Sequence, residues 1–146
     1  MKINYLSLLL FLLTHTAPFG LRAQNLSNHQ WKDRVLIIKT TDRNDSTYKH
    51  QIGELENYNT ELEERKLFIY QINDDQYKEG LSPDSTWNKI KTINDKFIVL
   101  KSKFEIILIG LDGSVKLRQN KYLAPHQLFG KIDSMPMRRQ ELKNKQ

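Results

Sequence analysis

The sequence predicts an α/β fold in which helices cover a central mixed sheet of four strands. Short apolar runs rich in β-branched residues alternate with stretches in which apolar residues recur at helical spacing. The last strong strand signal leads into an Asp-Gly turn and another short run, which is typical of a β-hairpin. The predicted order of elements is therefore β, α, β, α, β, β, α, with the hairpin and the last helix closing the chain.

The first predicted unit is a strand, a helix and a second strand. Val35–Ile38 is a continuous apolar run, which suits a strand covered on both faces. A helix follows, with Asp45 or Ser46 as its N-cap, and the second strand is Leu67–Ile72. One face of this helix carries four apolar residues, namely Ile52, Leu55, Tyr58 and Leu62. Such an order predicts two parallel strands joined by a right-handed crossover.

The middle of the chain is predicted to be a loop and then a helix. Residues Asn73 to Ser82 are mostly polar and predict a flexible loop. Pro83 suits the first turn of a helix, with Ser82 as a possible cap. Apolar residues then recur at helical spacing, namely Trp87, Ile90, Ile93 and Phe97. Trp87 is therefore interpreted as a core residue.

The last third holds the clearest strand signal and the hairpin. Phe104–Ile109 is the predicted third strand, and Asp112-Gly113 turns the chain into a fourth strand at Ser114–Leu117. Pro125 opens the last helix, whose apolar stripe is Leu128, Phe129, Ile132 and Met135. Pro136 disfavours helical geometry at the residue before it. Residues 136–146 are predicted to be a basic tail.

The order of elements is the layout of a thioredoxin-like domain, a three-layer α/β/α sandwich. Three segments add a more specific resemblance: Trp31-Lys32-Asp33-Arg34, the hairpin Asp112 to Arg118, and Ile132 to Glu141 with its Met-Pro-Met-Arg-Arg-Gln-Glu run. Together they resemble domain-of-unknown-function family 4174 over nearly all of residues 24–146. The resemblance implies a small exported bacterial protein with the same fold, and it brings no catalytic residue. Ala124 departs from the family pattern, which favours a capping Ser there.

Residues 1–23 predict a cleavable secretory signal peptide. Lys2 precedes the apolar run Leu6–Leu13, and Leu21-Arg22-Ala23 suits a cleavage site before Gln24. The apolar run is far shorter than the roughly 20 residues that span a bilayer. We therefore expect an exported protein, periplasmic or secreted, whose residues 24–146 form a single domain.

Composition limits the chemistry. The chain has no cysteine, which excludes thiol redox catalysis, disulfides and a lipid anchor on cysteine. His29, His50 and His126 are widely separated, and the stretch from Asp42 lacks the glycine and the glutamate that a calcium loop requires. The sequence also has no Gly-x-Ser-x-Gly elbow and no glycine-rich phosphate loop. We predict no catalytic residue, no metal site and no cofactor.

The remaining features favour a non-catalytic interaction module of the cell envelope. The net charge is +6 with neutral histidines. Arg138 and Arg139 are the first candidates for contact with an anion, because guanidinium groups pair bidentately with carboxylate or phosphate. Trp31, Lys32 and Arg34 are the second candidates. The partner is unknown, and an envelope protein or an anionic ligand fits. Nucleic acid is not favoured, because the tail lacks a dense run of basic residues.

An alternative hypothesis is an enzyme of unrecognised, cysteine-independent type. Its site would be the loop from Thr40 to Ser46, which is where this fold usually keeps its active site.

Overall fold

One mixed sheet organises residues 26–90 and 102–145, which are the residues that the computed structural model describes. Its strands are β1 (Arg34–Thr40), β2 (Leu67–Asn73), β3 (Gln76–Glu79), β4 (Asn88–Lys89), β5 (Phe104–Ile109) and β6 (Val115–Gln119). They lie in the order β4-β3-β2-β1-β5-β6. The α/β class is confirmed. The expected count of four strands is wrong, because β3 and β4 add two strands at the edge beside β2.

Strand β1 lies in the interior of the sheet and carries its longest pairings. It runs parallel to β2, with Arg34 opposite Leu67, and antiparallel to β5, with Val35 opposite Ile109. Every residue of β1 is buried. This confirms the prediction of a parallel pair flanking a helix, and it explains why the apolar run does not alternate with polar residues.

Four α-helices lie in the described part of the chain: α1 (Ser46–Leu55), α2 (Asn59–Glu64), α3 (Pro125–Asp133) and α4 (Pro136–Lys143). Short 3-10 turns cover Leu26–His29 and Glu56–Tyr58. The carboxylate of Asp45 accepts a hydrogen bond from the backbone N–H of Tyr48 at 2.9 Å, which confirms Asp45 as the N-cap of α1. The single helix predicted after β1 is therefore two helices joined by a 3-10 turn.

Helices α1, α2 and α3 cover one face of the sheet. Their apolar residues, including Leu55, Leu62 and Leu128, pack against Leu36, Ile38, Ile106 and Leu108 of the strands. The opposite face has its own cluster of buried side chains, namely Val35, Ile37, Ile72, Tyr77, Ile107 and Ile109. Leu26 and Ile90, which are partly buried, pack against it. The sheet is thus buried on both faces, as expected for a strand as apolar as β1.

The middle of the chain departs from its prediction. Gln76–Glu79 is a strand that pairs antiparallel with β2, so the loop predicted over Asn73 to Ser82 is wrong there. Residues 83–90 contain a turn and the short strand β4, so the predicted helix does not begin at Pro83. Trp87 is only partly buried. The remainder of that predicted helix, with Ile93 and Phe97, lies outside the described residues.

The C-terminal hairpin and the helix after it are confirmed, and the tail is corrected. Strands β5 and β6 pair antiparallel, and Gly113 adopts φ +76° in the turn between them, a conformation that favours glycine. Met135 is extended, with ψ 140°, and Pro136 opens α4. Much of the predicted basic tail is therefore a helix packed on the domain. The predicted signal peptide, residues 1–23, lies outside the described residues.

Candidate functional site

A cleft of about 420 Å³ lies where the β5–β6 turn meets the junction of α3 and α4. Three separate stretches of the chain line it: the start of β1, the β5–β6 turn and the α3–α4 junction. Its apolar wall consists of Leu111, Met135, Pro136 and Met137. Its polar lining includes Arg34, Asp112, Lys116, Lys131 and Ser134. We call this feature the α3–α4 cleft.

The β5–β6 turn holds a lysine at the edge of the cleft. Asp112 accepts hydrogen bonds from the N–H of Ser114 at 3.1 Å and from Lys116 Nζ at 2.7 Å. The bond from Lys116 lowers the pKa of Asp112 to about 2. A Cβ on Gly110 would lie 2.5 Å from Lys116 Cε, so a larger residue there would displace the lysine side chain. The turn therefore presents a positioned ammonium group.

Trp31 is not a lining residue, but its backbone is joined to the cleft wall in an unusual conformation. Its φ is +66°, which is uncommon for a bulky residue. Its N–H donates to the carbonyl of Leu111 at 2.7 Å, so the cleft wall anchors it. The side chain is nevertheless 64% exposed. The other large exposed apolar residues of the described chain, Val115 and Met137, also lie on segments bordering the cleft.

Arg34 lines the cleft, although its side chain is buried. It is 1% exposed, and its Nη1 donates to the carbonyl of Arg65 at 2.9 Å. Its Nη2 contacts Glu141 Oε1 at 3.3 Å. Its buried Nε has no hydrogen-bond partner in the described part of the chain. A buried donor without a partner costs free energy, which the other bonds of this guanidinium offset.

Arg138 is buried within a cluster of carboxylates. Its Nη2 donates to Glu64 Oε1 at 2.9 Å, its Nε to Asp133 Oδ1 at 3.2 Å and its Nη1 to Glu141 Oε2 at 3.3 Å. Burial lowers the pKa of Arg138, but the hydrogen bonds that it donates to these three carboxylates have the larger combined effect, so its pKa is raised overall. The bond from Arg138 lowers the pKa of Glu64. The fold therefore already supplies the anions for this guanidinium.

The predicted binding residues separate into three groups. Arg34 lines the α3–α4 cleft, and the backbone of Trp31 is bonded to its wall residue Leu111. Arg34 and Arg138 share Glu141. Arg139 is exposed on α4 and follows Met137 by two positions, which places it about 200° around the helix from the cleft residue. Lys32 is exposed beside Trp31. Sequence reasoning missed Lys116 and Lys131, whose only signal was their place after a turn and on the polar side of a helix.

The loop from Thr40 to Ser46 uses its polar groups locally. Thr40 Oγ1 donates to the carbonyl of Asp42 at 2.7 Å, and Asp42 Oδ1 accepts from the N–H of Asn44 at 2.8 Å. Asp45 caps α1. Arg43 instead reaches out of the loop and stacks on Trp87, with 3.9 Å between its Cζ and the ring centroid. The enzyme hypothesis at this loop stays a prediction.

Two tyrosines, one buried and one partly buried, predict a loss of stability in alkali. Burial raises the pKa of Tyr48 and of Tyr70 to about 12. The unfolded chain loses these protons near pH 10, before the folded chain does, so the free energy of unfolding should fall between pH 10 and 12. We expect a slope of at most about 1.4 kcal/mol per pH unit from each tyrosine, and a smaller one from Tyr70, which solvent screens more. Urea denaturation at several pH values measures it.

The comparison for this prediction is Tyr48→Phe. This variant loses the hydrogen bond to Gln71, so it should be less stable at neutral pH, but its stability should decline less steeply above pH 10. Equal slopes in the two proteins would contradict the role assigned to Tyr48.

In residues 26–90 and 102–145, no three His, Cys, Asp or Glu side chains lie together in a way that could hold a metal ion. None of the helices in these ranges has the length and apolar character that crossing a bilayer requires.

These features define a mixed α/β domain with an apolar cleft edged by cationic side chains. The model of DUF4174, a domain of unknown function, matches residues 25–141, which include the whole lining of the cleft. The chain belongs to the DUF4174 family, as the resemblance predicted. Comparisons with curated proteins and with solved structures found no match.

Proposed function

We propose that the protein is an exported, non-catalytic interaction module of the cell envelope, and that the α3–α4 cleft binds a segment of a partner polypeptide. One observation carries this proposal. Of the three large apolar residues that the described surface leaves exposed, Met137 lines a cleft of about 420 Å³, while Val115 precedes its lining residue Lys116 and Trp31 is bonded through its backbone to Leu111. That volume lies within the usual range for ligand pockets, and exposed apolar patches commonly mark interaction surfaces.

The lining indicates the chemistry of the partner. Leu111, Met135 and Met137 suit an apolar side chain, and methionines adapt to different shapes. Lys116 and Lys131 provide positive charge at the same cleft. Asp112 is the acidic lining residue, and Lys116 already neutralises it. A segment with an apolar residue close to aspartate or glutamate is therefore the best fit.

The fold and the compartment are part of the proposal. The run β6-β5-β1-β2, with the hairpin beside β1 and the parallel pair beyond it, supports a thioredoxin-like arrangement without a redox role. Export rests on the signal-like pattern of residues 1–23. A rigid sheet carrying a cleft at one end provides a scaffold for binding without chemistry.

Selection of peptides tests the cleft. A random peptide library is selected on protein recovered from the periplasm, whose N-terminal residue also checks the cleavage site. We expect enriched peptides to combine an apolar residue with a nearby acidic one. Met137→Glu places a like charge and a polar group in the cleft, so it should weaken binding of the selected peptide about tenfold or more. Fluorescence anisotropy of the labelled peptide measures the affinity.

The matched control is His126→Glu, which adds the same side chain at an exposed position of α3 outside the cleft lining. It should leave the affinity within about twofold. Failure to enrich any peptide, or equal weakening by Met137→Glu and His126→Glu, would sink the proposal.

A further inference from the structure

A second cavity, of about 470 Å³, lies between α1 and the β3–β4 edge, away from the α3–α4 cleft. Three cationic residues line it, namely Arg43, Lys49 and Lys78, against one carboxylate, Glu56. The remaining wall is mainly aromatic or apolar and includes Tyr48, Ile52, Leu81 and Trp87. The cavity is thus a cationic site with an apolar wall.

Lys78 is the least expected member of this lining. It lies on β3 opposite Gln71 and is only 8% exposed. None of the ion pairs or side-chain hydrogen bonds found in the described chain involves its ammonium group. The amide of Gln71 is already engaged, since its Nε2 donates to the carbonyl of Gly80 at 2.6 Å and its Oε1 accepts from Tyr48.

Lys78 differs from Arg138, which is 1% exposed and has three carboxylate partners. Most of the Lys78 side chain is buried, but its ammonium group is not among the fully buried polar atoms of the described chain. Because Lys78 lines the cavity, this ammonium group is open to an anion from outside the chain.

Arg43 is held in place by groups that do not neutralise it. Its Nε donates to Asn73 Oδ1 at 3.0 Å, and its Nη2 donates to Gln76 Oε1. Both acceptors are neutral amides. Its guanidinium lies over the ring of Trp87. The positive charge is therefore fixed in orientation and remains available to an anion.

We propose that this cavity binds a small organic dianion, a phosphate monoester or a dicarboxylate, whose acid group pairs with Lys78 and Arg43. Its apolar part would contact Ile52, Leu81 and Trp87. Three cations and one carboxylate leave an excess of two positive charges, which matches a dianion. This site shares no lining residue with the α3–α4 cleft, so it is independent of the proposed partner binding.

The two tryptophans make the test specific. The chain has two, so Trp31→Phe leaves Trp87 as the reporter inside this cavity. Titration with phenyl phosphate, and separately with phthalate, should change Trp87 fluorescence saturably below about 10 mM. Saturation by either ligand supports the site, and the two affinities together show whether it prefers a phosphate or a dicarboxylate. Phenol, which has the ring without the charge, should produce no saturable change.

Charge-matched variants complete the experiment. Lys78→Gln should weaken binding of the saturating ligand about tenfold or more, because it removes a charge-assisted hydrogen bond. Lys49→Gln, at an exposed lining position, keeps the test valid should Lys78→Gln fail to fold, and it should weaken binding severalfold. Lys121→Gln removes the same charge at an exposed position outside the lining and should have no effect. No saturation with either anion, or equal weakening by Lys121→Gln, would overturn the proposal.

Discussion

Replacing Arg138 with methionine should lower the free energy of unfolding by about 3 kcal/mol or more. The side chain is 1% exposed, and its removal leaves Glu64, Asp133 and Glu141 close together without their shared cation. Methionine fills much of the volume of the arginine side chain, so the loss of stability reports mainly the removal of the positive charge. Urea denaturation followed by circular dichroism measures it.

The adjacent arginine provides the control. Arg139→Met removes the same charge from an exposed position of the same helix, and it should change the free energy of unfolding by about 0.5 kcal/mol or less. Arg138→Lys keeps the charge but cannot bridge three carboxylates, so its stability should lie between those of Arg138→Met and the wild type. Similar losses for Arg138→Met and Arg139→Met would show that the carboxylate cluster contributes little.

Gln51→Leu should lower the free energy of unfolding by about 2 to 4 kcal/mol. Gln51 is fully buried in α1 and forms two bonds with one residue. Its Oε1 accepts from the N–H of Leu123 at 2.8 Å, and its Nε2 donates to the carbonyl of Leu123 at 3.0 Å. Leucine has a similar size but leaves both buried backbone groups without partners. The same urea titration applies.

The control for this prediction is Gln127→Leu on α3. Gln127 is exposed, and no side-chain hydrogen bond of the described chain involves it, so this change should be nearly neutral. An effect of Gln51→Leu no larger than that of Gln127→Leu would contradict the role of the amide. Since Leu123 precedes α3, the two bonds also join α1 to the segment that leads into α3.

Apolar periodicity predicted the elements that build the sheet interior. β1, β2 and β5 are long apolar runs, and a strand of this kind has few other places to lie. Strand β3 was missed because Gln-Tyr-Lys-Glu at the sheet edge is mostly polar, and Asp74-Asp75 is a weak hairpin signal. The helix predicted from Pro83 failed over residues 83–90, where Asn88 pairs with Tyr77. Tertiary pairing thus overrode a local helix signal.

The candidate site was predictable in part. The segment Trp31 to Arg34 was identified by residue type alone, and its last residue, Arg34, lines the cleft. The difference between Arg138 and Arg139 could not be predicted, because it depends on residues 136–143 being a helix. That helix has few apolar residues and is held by ion pairs to α2 and β1. Ion pairs between distant parts of the chain leave no periodic pattern in a single sequence, so this helix could not be predicted from its neighbours.

The interior position of β1 has a consequence for the speed of folding. Its pairing with β5 joins Thr40 to Phe104 and Val35 to Ile109, contacts that span about 70 positions of the chain. Closing loops of that length costs entropy before any contact repays it. Molecules should therefore reach the native state on the slower, millisecond-to-second timescale of chains dominated by non-local pairing. Until β5 pairs with β1, the apolar edge of β1 stays open to self-association. Slow pairing of these two strands would therefore expose the folding chain to aggregation.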